Sequence, residues 1–117
     1  MEGITREAVI GDFVAKYRCV VKPMLERNEI ETARIPIEDL VIRRSLYLST
    51  FGIGSGGSPE AHYQVAIGSL KFLISEKREP EMFKQVLKDV DAQIGKIDLQ
   101  LSGNEEYQML IREPSDN

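Results

Sequence analysis

Apolar positions recur in steps of three and four residues along most of this chain. Ile10, Phe13, Tyr17, Val20/Val21 and Met24 keep that spacing, which places them on one face of a helix. Thr5 stands just ahead of them as an N-cap, because its hydroxyl can accept from a first-turn amide. Pro23 lacks a backbone donor and crowds the carbonyl four residues earlier, so this helix is expected to kink or stop near Lys22. The next stretch, ERNEIETARIP, is polar and reads equally as a loop or a short ribbon.

Pro36 suits a first helical position, with Glu38 and Asp39 in the positive first turn. Ile37, Leu40/Val41, Tyr47/Leu48 and Phe51 then form a buried side that runs to Gly52. A strand over SLYLSTFGI is the rival reading, since Tyr47, Phe51 and Ile53 share a parity; helix is preferred. A third helix starts at Ser58 as cap with Pro59 at its first position, and its stripe is Tyr63, Ala66/Ile67, Leu70 and Leu73/Ile74. In the fourth, Phe83, Val86/Leu87, Val90, Ile94, Ile97 and Leu101 hold helical phase for five turns. Gly103 follows as a left-handed stop. The segment NEEYQMLIREP reads as a short helix capped by Asn104 or as a strand alternating at Tyr107, Met109 and Ile111, ended by Pro114 in either case.

These elements predict a mainly α fold, a compact antiparallel helical bundle. The alternative is α+β, with a small β element at 28–36 or 97–111. Residues 1–117 are read as one domain, with 112–117 as a flexible tail. Several helices carry more apolar surface than one buried side requires. Helix one has a second line at Val14, Val21 and Leu25, helix two another at Ile42, Leu46 and Ile53, and helix three adds Val65 and Phe72. Helices apolar on two sides are either central to a large core or covered by a partner. A 117-residue chain cannot make all of its helices central, so burial by another chain is the favoured reading.

Charge narrows the partner. The net charge is −4, and residues 79–117 hold nine acidic against four basic side chains, whereas residues 1–78 are nearly balanced. Arg43-Arg44 is the one basic pair on an expected helix, far short of a nucleic-acid footprint, so no nucleic acid is expected. Apolar runs are too short for a membrane span, and no charged-then-apolar leader is visible at the start. A single cysteine, Cys19, excludes an intrachain disulfide and fits a cytoplasmic setting.

The loop GIGSGGSP raises the question of chemistry, because Gly52, Gly54 and Gly57 spell the G-x-G-x-x-G string. A dinucleotide fingerprint needs a strand before the loop and a second parallel strand after the helix, and neither is expected here. Glu60 in the first turn would compete with a phosphate for the positive helix end. A permissive turn between two antiparallel helices, at Gly52, Gly54, Gly56 and Gly57, explains the glycines better. A nucleotide at this loop stays as a remote alternative. His62, the lone histidine, reads as a surface or boundary residue, and no metal is expected. Cys19 reads as a small buried hydrophobe, and a Cys19/His62 dyad would lack an orienting partner. Serines 45, 49, 55, 58 and 69 lie in no nucleophile elbow, and Asp89 and Asp91 diverge on their helix. No catalytic set and no cofactor emerge, so the chain is read as a non-enzyme.

The stretch LYLSTFGIGSGGSPEAHYQVAIGSLKF, residues 46–72, resembles the corresponding segment of the IcmS-type adaptors of the bacterial type IVB (Dot/Icm) secretion system. Gly52, Gly54, Gly56, Ser58, Glu60 and Ala66-Ile67-Gly68 carry the likeness, and Pro80 opens a further helix as in that family. Ile53 stands where the family pattern has an aromatic residue, and residues 1–36 lie outside the likeness. The resemblance implies a small acidic chaperone-adaptor that pairs with a second small acidic protein of the IcmW type. It further implies docking on the C-terminal region of a coupling ATPase and recruitment of effectors for export. A lone chain would be poorly behaved or self-associated. Partner-binding residues are then expected at Val14, Val21, Ile42, Leu46, Ile53, Val65 and Phe72, with Gly68 allowing close approach at its helix face. The rival in the binding class is an immunity or phage-encoded inhibitor protein acting through an acidic C-terminal third.

Overall fold

Thr5 opens the first helix as expected, its Oγ1 accepting from the Ala8 N–H at 3.0 Å. The structure, a computed structural model, describes residues 5–52, 54–75 and 80–112. The first rod comprises α1 (Arg6–Lys16), a π-helical turn (Tyr17–Val21) and α2 (Lys22–Glu26). Residues Lys16, Tyr17, Val21 and Lys22 at the junctions all keep right-handed helical angles. The rod therefore does not stop at Pro23. The Lys22 N–H reaches back five residues to the Tyr17 carbonyl, and this wider turn lets the helix pass a residue that has no donor.

The rod ends in a Schellman arrangement. Asn28 takes φ 60°, its N–H donates to the Leu25 carbonyl at 3.0 Å, and the Glu29 N–H donates to the Met24 carbonyl at 2.9 Å. Asparagine is one of the few residues that tolerates this left-handed position. The chain then enters α3 (Ile30–Phe51) at once, which corrects the loop or ribbon expected over 28–36 and the helix start expected at Pro36. Ile30, Ala33, Ile37 and Leu40 continue the three-and-four spacing through the polar stretch and lie in or against the core. Their burial outweighs the one hydrogen bond that Pro36, inside the helix, cannot make.

Ser58 caps α4 (Pro59–Ser75) as read from the sequence, accepting from the Ala61 N–H at 3.2 Å. At the other end of α4, Arg34 of α3 donates to the Ile74 carbonyl at 2.9 Å, supplying a cation and a donor where helix carbonyls are free. The next helix, α5 (Pro80–Gln100), buries Phe83, Val86, Leu87, Val90, Ile94 and Ile97. Gly103 does not adopt the left-handed stop expected of it; among the described glycines only Gly52 and Gly57 have positive φ. Leu101 instead anchors the turn, accepting from Asn104 N–H and Gln108 Nε2. Asn104 then caps α6 (Glu105–Arg112), taking the Tyr107 N–H at 2.8 Å. The β alternative at 97–111 is thereby overturned. Among the described residues there is no strand, and the fold is mainly α. Pro114 and all of the expected tail 112–117 except Arg112 lie outside the described residues.

The core is one cluster to which every helix contributes, including all four tyrosines. α3, α4 and α5 pack in sequence, while α6 folds back against α1. Gly11 is what lets α6 approach: a Cβ there would meet Leu110 at 3.0 Å and Tyr107 at 3.4 Å. Two ion pairs tie the first rod to α5, Arg18–Asp98 at 2.7 Å and Lys22–Asp91 at 2.9 Å. Asp98 also accepts from the Tyr107 hydroxyl, so one carboxylate joins the rod, α5 and α6.

Candidate functional site

Helix α3 presents two apolar sides. Ala33, Ile37, Leu40 and Tyr47 face inward and are buried. Ile35, Ile42 and Leu46, seven and then four residues apart, share the opposite side and are 73%, 61% and 64% exposed. On α4, Val65 is 51% and Phe72 47% exposed, seven residues apart on the side away from its core stripe. Of the expected partner-binding residues, Ile42, Leu46, Val65 and Phe72 thus lie at the surface, whereas Ile53 falls outside the described residues. Ile35 was missed because the helix start had been put after it.

Val14 and Val21 are a correction. Both are fully buried, as is Leu25, so the second apolar line of the first rod belongs to the protein's own core. The reason is geometric. α6 covers one side of the rod while α3, α4 and α5 cover others, so its second apolar line meets neighbouring helices rather than solvent. Cys19 is a second correction: it is exposed, because two residues from both Tyr17 and Val21 it lies on the side of the rod opposite those buried residues.

The glycine loop behaves as a turn. Gly52 (φ 77°) closes α3, its N–H donating to the Leu48 carbonyl at 2.9 Å, and Gly57 (φ 82°) redirects the chain toward α4. Gly54 is needed for close approach, since a Cβ there would lie 2.4 Å from Glu60 Cβ and 2.7 Å from Ser58 Oγ. The segment before the loop is helix, not strand, so the dinucleotide fingerprint lacks its required context. The first turn of α4 is engaged internally by the Ser58 cap, and Glu60 carries its charge there, 3.5 Å from Arg6. Gly68 has open space where a Cβ would stand, so no helix crossing among the described residues accounts for it.

A cleft of about 500 Å³ opens between α1 and α3, beside Leu46. Its floor includes Phe13, Leu40, Tyr47 and Tyr63, all buried, and its mouth carries Asp12, Arg43, Leu46 and Thr50. The aromatic rings pack against one another, Tyr47–Tyr63 at 4.9 Å and Phe13–Tyr63 at 5.4 Å between centroids. Burial pushes the Tyr63 phenol up to about 12. Burial, aided by the negative charge of Glu60, also raises that of Tyr47. At the mouth, Arg43 lies 3.0 Å from Asp12 and 2.9 Å from Asp39.

His62 is half-buried and its Nδ1 lies 2.7 Å from Gln93 Oε1. Among the described residues no cluster of three or more His, Cys, Asp or Glu side chains could hold a metal ion. None of the described helices is long and apolar enough to cross a membrane. No family model, curated protein or solved structure matches the chain.

Proposed function

We propose that this chain is a non-enzymatic protein adaptor whose partner covers the outward side of α3, Ile35, Ile42 and Leu46. The IcmS-type resemblance at residues 46–72 makes the specific reading a secretion chaperone-adaptor. In that reading it pairs with a second small acidic protein and helps recruit effectors to a coupling ATPase in the bacterial cytoplasm.

One observation carries the reading. Three large aliphatic residues stand in register on the solvent side of a helix whose opposite side already fills the core. Single exposed apolar residues are ordinary, but a helical row of them is the form that a partner-binding face takes. Covering it contributes about 25 cal/mol per Å² before the costs of association. The charge-led inhibitor reading draws less support. On α5, Asp91 and Asp98 are engaged by Lys22 and Arg18, and on α6 Glu106 accepts from Thr5, which leaves fewer free carboxylates for a basic target.

The experiment is photocrosslinking in the native host from a benzophenone side chain placed at position 42. The proposal expects crosslinks to a second small protein and to the C-terminal region of an ATPase. Crosslinks to basic proteins from a probe at position 89, with none from 42, would favour the inhibitor reading.

A further inference from the structure

We infer that the outward faces of α3 and α4 together bind a second copy of this chain, in a two-fold pair where α3 of each copy lies antiparallel on α4 of the other. The inference rests on the reading of this face as a partner surface, and it makes the second copy and the adaptor's partner competitors for one site.

α4 carries an outward line of its own. Ala61, Val65, Gly68 and Phe72 recur at steps of four, three and four residues, opposite the buried stripe of this helix. The charged residues of α4 are Glu60 and Lys71, and neither interrupts the line. α3 and α4 pack side by side and run antiparallel, since Arg34 donates to the Ile74 carbonyl and Arg44 to Gln64 Oε1. The two outward lines therefore make one face, with Ile35 level with Phe72 and Ile42 level with Val65. Its five large side chains are between 47% and 73% exposed, on the order of 500 Å² of apolar surface. A stable pair buries about 800 Å² per partner, of which about 56–58% is apolar, so the face has the extent that a pair needs.

Shape and charge select the second copy. The α3 row is uniformly bulky, whereas the α4 line has gaps at Ala61 and Gly68, the latter with open space where a Cβ would stand. A two-fold axis along the helices sets each bulky row on the other copy's gapped line, with Ile42 beside Gly68 and Leu46 beside Ala61. Two bulky rows set on each other would leave those gaps unfilled. Glu38 and Lys71 are exposed and stand at one level, and neither has an ion-pair partner among the described residues. The same axis brings each of them to its opposite charge in the other copy.

The test follows the full chain by sedimentation equilibrium, where a reversible dimer is expected at concentrations up to about 100 μM. Glu38→Lys and Lys71→Glu should each weaken self-pairing at least about tenfold. An equal mixture of the two should pair again, because each variant supplies the charge the other lacks. Gly68→Leu should abolish the dimer, yet leave the melting temperature of the dilute chain unchanged or higher, since its own fold has room there. A chain that stays monomeric, or a mixture that does not recover, would overturn the inference. So would a Gly68→Leu variant that still pairs or melts earlier. None of these results touches the adaptor reading, which falls instead if position 42 crosslinks to no other protein in the host.

Discussion

α3 and α5 are the two longest helices, 22 and 21 residues, and they solve the same problem differently. α5 buries an unbroken apolar row and turns Lys84, Gln85, Lys88, Asp89 and Lys96 to solvent. Its exposed apolar residues, Met82 and Leu99, stand far apart. α3 buries its inner side equally well but places Ile35, Ile42 and Leu46 outside. One helix meets solvent with polar side chains; the other meets it with a row of aliphatic ones, which the proposed partner would cover. Core packing therefore does not explain α3 alone, and a purely structural account leaves its outward residues without a role.

The largest effect should separate inside from outside on a single helix. Leu70→Ala on α4, at a fully buried position, should cost about 2–5 kcal/mol in denaturant unfolding. Val65→Ala, on the outward side of the same helix, should stay within about 0.5 kcal/mol. Equal losses would mean that the outward side is packed after all.

Alkaline pH should weaken the shared core that both long helices line. The Tyr63 phenol is raised from 10.0 to about 12, so above pH 10 the unfolded chain loses its proton first. A group raised in this way contributes fully below pH 10, and its contribution falls as pH climbs toward 12, by up to about 1.4 kcal/mol per pH unit. Melting temperature followed over that window should drop while tyrosine absorbance shows no early titration. A flat stability profile would contradict burial of this ring.

A smaller effect tests how α3 is launched. Asn28→Val, at φ 60°, should cost about 1–2 kcal/mol, whereas Asn28→Gly should be neutral or slightly stabilising. If valine were tolerated, the Schellman turn would not be what sets the entry of α3.

Helix type was legible wherever apolar spacing was long and uninterrupted, as in α4 and α5, and caps were legible where a hydroxyl stood before such a stripe, as at Thr5 and Ser58; at Asn104 the short segment that follows fitted helix and strand alike. The misreadings cluster around prolines. Pro23 and Pro36 were read as boundaries, but a π turn carries the rod past the first and core burial of Ala33 and Ile37 carries α3 past the second. The surface residues Ile42, Leu46 and Val65 were legible because helical phase set them apart from the core stripe. Val14 and Val21 were misjudged for a tertiary reason: spacing on one helix does not tell how many neighbours surround it. The cleft had no sequence signal, since its lining comes from three helices.

The most direct test compares a row with a singleton. The affinity of the chain for the partner crosslinked from position 42 should be measured for Ile42→Asp and Leu46→Asp, with Leu99→Asp on α5 as the control. The account predicts at least about tenfold weaker binding for each α3 variant, unchanged helical content, and wild-type affinity for the control. Wild-type affinity in both α3 variants, or an equal loss in Leu99→Asp, would contradict it.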